Sequence, residues 1–219
     1  MSKYLVFSHG FGVKKDDRGL LTDIAENSPK YESVLFDYND VDEEHNVLTV
    51  APLRRQADML LDEIDIVRQS DPDAEISLVC HSQGCVVASI ANPSDIKQAI
   101  FLAPPGNVSA ESIQEFFGKR PGTVVEDDGT MRVPRADGST TRIPKQFIDD
   151  IKSVDVTELY PRFARQTKLT IVVANQDEVL KPVDFSYLAE DVRLLNVDGD
   201  HNFTGDDRIG LINQLEELL

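Results

Sequence analysis

The chain has 219 residues and a net charge of −17, from 22 basic and 39 acidic side chains. A surface this acidic repels nucleic acid and anionic lipid, so neither is expected as a partner. No apolar run approaches the ~20 residues of a membrane-spanning helix, and the N-terminal apolar run is too short for a secretory signal. Two cysteines, Cys80 and Cys85, have neither disulfide-framework nor zinc-ligand spacing, which favours buried thiols in a reducing cytoplasm.

Short apolar runs alternate with helical patterns along the chain. Most of these runs are continuous rather than alternating, which is typical of parallel strands covered on both faces. Strands that alternate with helices predict an α/β protein with a doubly wound, mainly parallel sheet. The six strands are predicted at 3–8, 33–38, 76–80, 98–103, 169–174 and 192–197, and the helices between them at 16–27, 51–69, 83–91, 182–189 and 207–218.

One segment, residues 106–165, breaks this alternation. We interpret it as a cap inserted into a core made of residues 1–105 and 166–219. Two Asp-Gly pairs within the insertion are strong signals for hairpin turns. The insertion is predicted to hold helices at 109–118 and 145–165, the second broken near "SVD", and short antiparallel strands near 122–126, 130–134 and 139–143.

The sequence "CHSQG" (80–84) places a serine where a predicted strand turns into a helix. A nucleophilic serine on such a strained turn needs small residues two positions before and after it. Gly84 meets this requirement fully, and Cys80 meets it in part. The alternative is that Ser82 only caps the helix, since serine is a favoured N-cap residue.

A serine hydroxyl needs a base that takes its proton. Of the four histidines, only His201 directly follows the last predicted strand, in a loop at the carboxyl edge of the sheet, where Ser82 also lies. The imidazole in turn needs a carboxylate that fixes its tautomer. Asp177 lies three residues after the predicted strand at 169–174 and is the candidate for this carboxylate. The adjacent Glu178 is the alternative.

The first predicted strand leads into "FSHGFG" (7–12), whose glycines let the backbone approach a ligand closely. An oxyanion hole needs two backbone donors, of which the residue after the nucleophile, Gln83, gives one. The second comes from a loop after an early strand, which makes Phe11 the candidate. The loop lacks the remaining features of a dinucleotide or Walker motif, so no nucleotide, metal or organic cofactor is expected.

Four motifs, "SHGFG", "CHSQG", "NQDEVL" and "GDHNF", resemble in this order the oxyanion loop, nucleophile elbow, acid turn and histidine loop of the α/β-hydrolase superfamily. The resemblance spans nearly the whole chain and implies a catalytic triad of Ser82, Asp177 and His201. It also implies a six-stranded sheet of order 2-1-3-4-5-6, with the insertion as the variable cap. The sequence departs from the family pattern in two ways, because Cys80 replaces the usual first glycine of the elbow and the family's first two antiparallel strands are missing.

The resemblance implies a serine hydrolase that cleaves carboxylic esters of small or medium acyl groups through an acyl-enzyme. Thioesterase, amidase or peptidase, and acyltransferase activities stay open, as does a non-catalytic binding protein of the same fold. Apolar residues of the insertion either form an acyl pocket or only pack it on the core: Phe116, Phe117, Met131, Phe147, Ile148 and Tyr160. Basic residues there are candidates for contact with an anionic part of a substrate: Arg132, Arg135, Arg142 and Lys145.

Overall fold

The computed structural model describes residues 1–180 and 183–219, which form eleven strands and seven helices. Among these residues, no helix combines the length and the apolar character needed to cross a bilayer. The strands are β1 (Lys3–Ser8), β2 (Glu32–Val34), β3 (Asp40–Asp42), β4 (Val47–Thr49), β5 (Glu75–His81), β6 (Gln98–Leu102), β7 (Val124–Val125), β8 (Met131–Pro134), β9 (Thr140–Ile143), β10 (Lys168–Ala174) and β11 (Arg193–Val197). The helices are α1 (Leu20–Glu26), α2 (Leu53–Ser70), α3 (Gln83–Ala91), α4 (Ala110–Gly118), α5 (Lys145–Ile151), α6 (Val156–Ala164) and α7 (Asp206–Leu218).

Six strands form the main sheet, in the order β2-β1-β5-β6-β10-β11, and every neighbouring pair is parallel. Counted along the chain within this sheet, the order is 2-1-3-4-5-6. The predicted doubly wound α/β fold is therefore confirmed, although the strand predicted over 33–38 is shortened to β2.

The four central strands of the main sheet, β1, β5, β6 and β10, are buried on both faces. Neighbouring residues of a strand point to opposite sides of the sheet. Leu5 and Phe7 of β1 pack on the face that α1 and α7 cover. Val6, between them, packs on the face that α2 and α3 cover. Apolar side chains are therefore required at consecutive positions, which explains the continuous apolar runs of the sequence.

A second sheet has the order β3-β4-β9-β8-β7. Its strands β7, β8 and β9 are the three antiparallel strands predicted within the insertion. Strand β9 also pairs in parallel with β4, which in turn pairs with β3, and neither of these two was predicted. Each has only three residues, too few for a recognisable apolar pattern. The second sheet thus joins residues 40–49 to the insertion, and the domain boundaries at 105 and 166 stay a prediction.

The helix predicted over 182–189 is wrong for residues 183–189, which form turns and bends, while Pro182 lies outside the described residues. The carboxylate of Asp184 accepts a hydrogen bond from the N–H of Ser186 at 2.8 Å. Such local side-chain bonds offer the backbone an alternative to the helix.

The helix predicted over 16–27 begins only at Leu20. The three residues before it, Asp17, Arg18 and Gly19, have φ angles of 47°, 56° and 84°. Three successive residues in the left-handed region cannot continue a right-handed helix. They instead turn the chain so that the Asp17 side chain is buried.

Helix α3 begins directly against the end of β1. A Cβ added at Gly84 would lie 2.1 Å from the carbonyl oxygen of Ser8, far inside van der Waals contact. The close approach of β1 to the start of α3 therefore requires glycine at this position.

We predict that Gly84→Ala lowers the free energy of unfolding by about 3 kcal/mol, because backbone atoms must move to admit the methyl group. Gly118→Ala is the matched control at the end of α4, where no atom lies within 4 Å of an added Cβ. Its unfolding free energy should change by less than about 1 kcal/mol. Urea denaturation measures the unfolding free energy of both variants. Equal losses of unfolding free energy would contradict the requirement for glycine where β1 approaches α3.

Candidate active site

Ser82 stands between the end of β5 and the first residue of α3. Its φ of 51° and ψ of −119° lie in a region that residues with a side chain rarely adopt, and such strain is concentrated at functional sites. The backbone is held on both sides, since the N–H of Ser82 donates to Leu102 and its carbonyl accepts from Cys85. The hydroxyl makes no capping hydrogen bond to α3, so it is available for another partner.

That partner is His201, in the loop between β11 and α7. Its Nε2 lies 3.0 Å from Oγ of Ser82, and its Nδ1 lies 2.7 Å from Oδ2 of Asp177. An ionised carboxylate can only accept, so Nδ1 carries the proton and Nε2 is free to accept from the serine hydroxyl. The structure thus brings together the three residues that the sequence predicts as a triad.

Asp177 rather than Glu178 faces the imidazole. Oδ1 of Asp177 accepts the N–H groups of Val179 and Leu180 at 2.9 and 2.7 Å, which fixes the carboxylate. The Glu178 carboxylate instead accepts the backbone N–H of His201 at 3.1 Å. Burial acts to raise the pKa of Asp177, but the hydrogen bonds from His201 and these N–H groups outweigh it, so the pKa is lowered.

The predicted oxyanion loop lies against the elbow. A Cβ at Gly10 would be 3.5 Å from Cβ of Ser82. Within residues 1–180 and 183–219, the N–H groups of Phe11 and Gln83 have no hydrogen-bond partner, so both are free to bind an anion. Nδ1 of His9 donates to the carbonyl oxygen of Gly10 at 2.9 Å. Because a trans peptide unit is planar, this bond turns the Phe11 N–H to the opposite side.

A buried pair, His81 and Asp17, adjoins the triad and was missed by the sequence analysis. Nδ1 of His81 lies 2.7 Å from Oδ2 of Asp17, and both side chains are almost completely buried. Burial acts to lower the pKa of His81, but the charge of Asp17 outweighs it and raises the pKa. Burial acts to raise the pKa of Asp17, but the charge of His81 outweighs it and lowers the pKa.

Two aromatic residues predicted for the acyl pocket lie beside Phe11. The ring of Phe117 is 5.1 Å from that of Phe11, and the ring of Phe147 is 5.4 Å from it. Both side chains are buried. The insertion therefore covers the oxyanion loop with aromatic surface.

The other pocket candidates lie in different surroundings. Tyr160 is buried against Phe101 of the main sheet, and its hydroxyl donates to the carbonyl oxygen of Pro105. Met131 and Ile148 are buried in the same hydrophobic core. Phe116 is 52% exposed. These four were proposed together with Phe117 and Phe147 from sequence alone, and the contacts with Phe11 set the latter two apart.

Three of the four residues of the predicted basic cluster form salt bridges with carboxylates. Arg132 and Arg142 both pair with Glu126, and Lys145 pairs with Asp149. Within the described residues, Arg135 forms no salt bridge. It donates instead to the hydroxyl of Thr141 at 2.6 Å and to the carbonyl oxygen of Gly12 at 3.0 Å, beside the oxyanion loop.

Two cavities open near these residues. One of about 340 Å³ is lined by Gly12 and by charged side chains of both signs, among them Arg18, Arg135, Asp16, Glu43 and Asp137. Another cavity, of about 280 Å³, lies beside Asp177 and is lined by that residue and by Phe185, among others. In the part of the chain that the structure describes, no three His, Cys, Asp or Glu side chains are grouped to hold a metal ion.

The ionised form of Asp177 stabilises the fold, because its pKa is lower in the folded chain than the ~3.9 of an unfolded aspartate. This contribution is present above about pH 4 and is lost as the pH falls through the folded-state pKa. We therefore predict that Asp177→Asn flattens the decline of the unfolding free energy between about pH 5 and pH 2. Urea denaturation at several pH values measures this, and parallel curves for the two proteins would contradict it.

The sequence matches no protein-family model and no curated protein. Solved structures resemble the chain in fold. The α/β hydrolase GrgF from Penicillium sp. sh18 has a TM-score of 0.68 and 19% identity, over 100% of this chain and 90% of that one. The esterase domain of a Rhodothermus marinus protein has a TM-score of 0.66 and 16% identity, over 98% and 85%. A monoacylglycerol lipase from Paleococcus ferrophilus has a TM-score of 0.61 and 13% identity, over 98% and 94%. The chain therefore has the α/β-hydrolase fold that its motifs predict.

Proposed function

We propose that this protein is a serine hydrolase that cleaves carboxylic esters of small or medium acyl groups. The observation that carries the proposal is the chain of contacts from Ser82 through His201 to Asp177, with distances of 3.0 and 2.7 Å. A serine hydroxyl is activated as a nucleophile when a base that is itself oriented by a carboxylate lies within hydrogen-bond reach.

In the acylation step, Nε2 of His201 takes the proton of the Ser82 hydroxyl while Oγ attacks the acyl carbonyl carbon. The carbonyl oxygen becomes an oxyanion that accepts hydrogen bonds from the N–H groups of Phe11 and Gln83. Asp177 stabilises the imidazolium that forms. When the tetrahedral intermediate collapses, the ester C–O bond breaks and His201 gives its proton to the departing alcohol.

In the deacylation step, water takes the place of the alcohol. His201 removes a proton from this water, which attacks the acyl-enzyme carbonyl, and the same N–H groups hold the second oxyanion. Collapse returns the proton to Oγ of Ser82 and releases the acid. Each oxyanion donor is expected to contribute about 10²- to 10³-fold to kcat.

The aromatic residues beside the oxyanion loop support a small or medium apolar acyl group. Phe117 and Phe147 of the insertion pack within about 5.5 Å of the Phe11 ring, whose own N–H is the proposed donor. Phe117 and Phe147 are buried, so they support the partly buried Phe11 ring from behind. An acyl chain bound against the Phe11 ring would place its carbonyl next to that N–H. The insertion then acts as a cap over the substrate.

Thioesterases, amidases and acyltransferases share this mechanism and differ from esterases in the leaving group or in the acceptor of the acyl group. A thioesterase or amidase would favour thiol or amine leaving groups over alcohols at equal acyl chain length, and an acyltransferase would favour an acceptor alcohol over water. A non-catalytic binding protein would have no need of a strained serine in contact with an oriented histidine. The contact of Ser82 with His201 therefore favours an enzyme.

Covalent labelling with a fluorophosphonate probe tests the proposal, because the probe reacts with activated serines. We predict labelling of Ser82 in the wild type, and a loss of labelling and of at least about 10⁴-fold in ester kcat in Ser82→Ala. Ser89→Ala is the matched control, since Ser89 lies in α3 with its hydroxyl bonded to the carbonyl oxygen of Cys85. Wild type that neither labels nor hydrolyses nitrophenyl esters would favour a binding protein.

The contact of Arg135 with the oxyanion loop favours substrates with an anionic group. Arg135 is bonded to the loop that supplies the proposed Phe11 donor, and it forms no salt bridge among the described residues. The 340 Å³ cavity that it lines with Arg18 also holds carboxylates, those of Asp16, Glu43 and Asp137. We predict that Arg135→Gln raises KM for a nitrophenyl hemiester of a dicarboxylic acid by about 10-fold, as expected for the loss of one charged contact, and leaves KM for the neutral ester unchanged. Arg132→Gln, in the same hairpin but paired with Glu126, should change neither. Equal effects of Arg135→Gln on both esters would contradict this role.

A further inference from the structure

The buried histidine next to the proposed nucleophile has two acceptors and no donor facing it. Nε2 of His81 lies 2.9 Å from the carbonyl oxygen of His201, and Nδ1 lies 2.7 Å from the carboxylate of Asp17. A carbonyl oxygen can only accept, so Nε2 carries a proton. With Asp17 ionised, Nδ1 also carries one. His81 is then a buried imidazolium that donates to two different loops.

Asp17 extends this connection to the oxyanion loop. The same Oδ2 that accepts from His81 also accepts the N–H of Gly10 at 2.7 Å. Gly10 directly precedes Phe11, whose N–H is the proposed oxyanion donor. A continuous path of three short hydrogen bonds therefore runs from the oxyanion loop, through Asp17 and His81, to the backbone of His201.

The backbone at Asp17 has an unfavourable conformation. Asp17 and Arg18 both have φ in the left-handed region, at 47° and 56°. Non-glycine residues held in such regions are strained and persist where the surroundings hold them there. The turn buries the Asp17 carboxylate where it contacts both Gly10 and His81.

We propose that Asp17 and His81 are positioning residues, which hold the oxyanion loop and the His201 loop at a fixed separation around Ser82. This inference rests on the proposed function. Neither side chain needs to touch the substrate, because the pair acts through the backbone of Gly10 and of His201. Its effect is on the geometry of the transition state, where the serine, the base and the oxyanion donor must be aligned together.

A purely stabilising ion pair is the competing explanation. Buried ion pairs contribute little net stability relative to apolar residues of the same size, because desolvation offsets their attraction. This pair instead bonds to two loops beside Ser82, through Gly10 and the backbone of His201, and so fixes the position of one loop relative to the other. The two explanations differ in kcat per active molecule, which a loss of stability alone leaves unchanged.

The test compares ester kinetics of the full chain, normalised to the number of serines that the fluorophosphonate probe labels. Asp17→Asn removes the charge and keeps the shape. His81→Gln retains a donor near the position of Nε2, whereas His81→Leu removes both donors. Ile76→Val, a buried position at the other end of β5, is the control for lost stability. His45→Gln, in an exposed histidine–aspartate pair, is the control for the pair itself.

We expect Asp17→Asn and His81→Leu to lower kcat per labelled site by about 10- to 100-fold and to leave KM within about threefold, because neither substitution changes the proposed acyl site at the Phe11 ring. His81→Gln should recover part of the loss, and both controls should retain the wild-type kcat. Variants with wild-type kcat per labelled site would overturn the positioning role while leaving the proposed function intact. Wild type without labelling or hydrolysis would overturn the proposed function, and this inference with it.

Discussion

The close approach of β1 to the start of α3 is the contact on which the site depends. Gly84 lies so near the carbonyl oxygen of Ser8 that no side chain fits between them. Next to this contact, the chain leaves β5 and enters α3 through a single strained residue, Ser82. The same contact brings the loop after β1 against the elbow, so that the serine and the proposed oxyanion donors share one small space.

The contact of Ser82 with His201 and Asp177 could be predicted because it follows from the direction of the strands. Ser82, Asp177 and His201 each follow a different parallel strand of the main sheet, and the carboxyl ends of parallel strands meet at one edge. Their order along the chain, together with the glycines of the first loop, identified the fold. The choice of Asp177 over Glu178 also came from position, and the contacts to the imidazole agree with it.

The groups around the triad could not be predicted in the same way. Asp17 lies within the helix predicted over 16–27, and its role depends on a left-handed turn that replaces the first residues of that helix. His81 adjoins the serine in sequence, and nothing in the sequence indicated that it would contact both Asp17 and His201. Strands β3 and β4 were missed for a related reason, since three-residue strands are stabilised by the insertion they pair with rather than by their own apolar pattern.

The proposed mechanism requires that Ser82 carries the acyl group during turnover. Mass spectrometry of the intact protein, quenched in acid within the first turnover of a nitrophenyl ester, detects this intermediate. We expect the chain to gain the mass of one acyl group, located by peptide mapping on the peptide that contains Ser82, together with a burst of nitrophenol. Steady hydrolysis with no burst and no acylated peptide, or acylation mapped to another residue, would contradict the account.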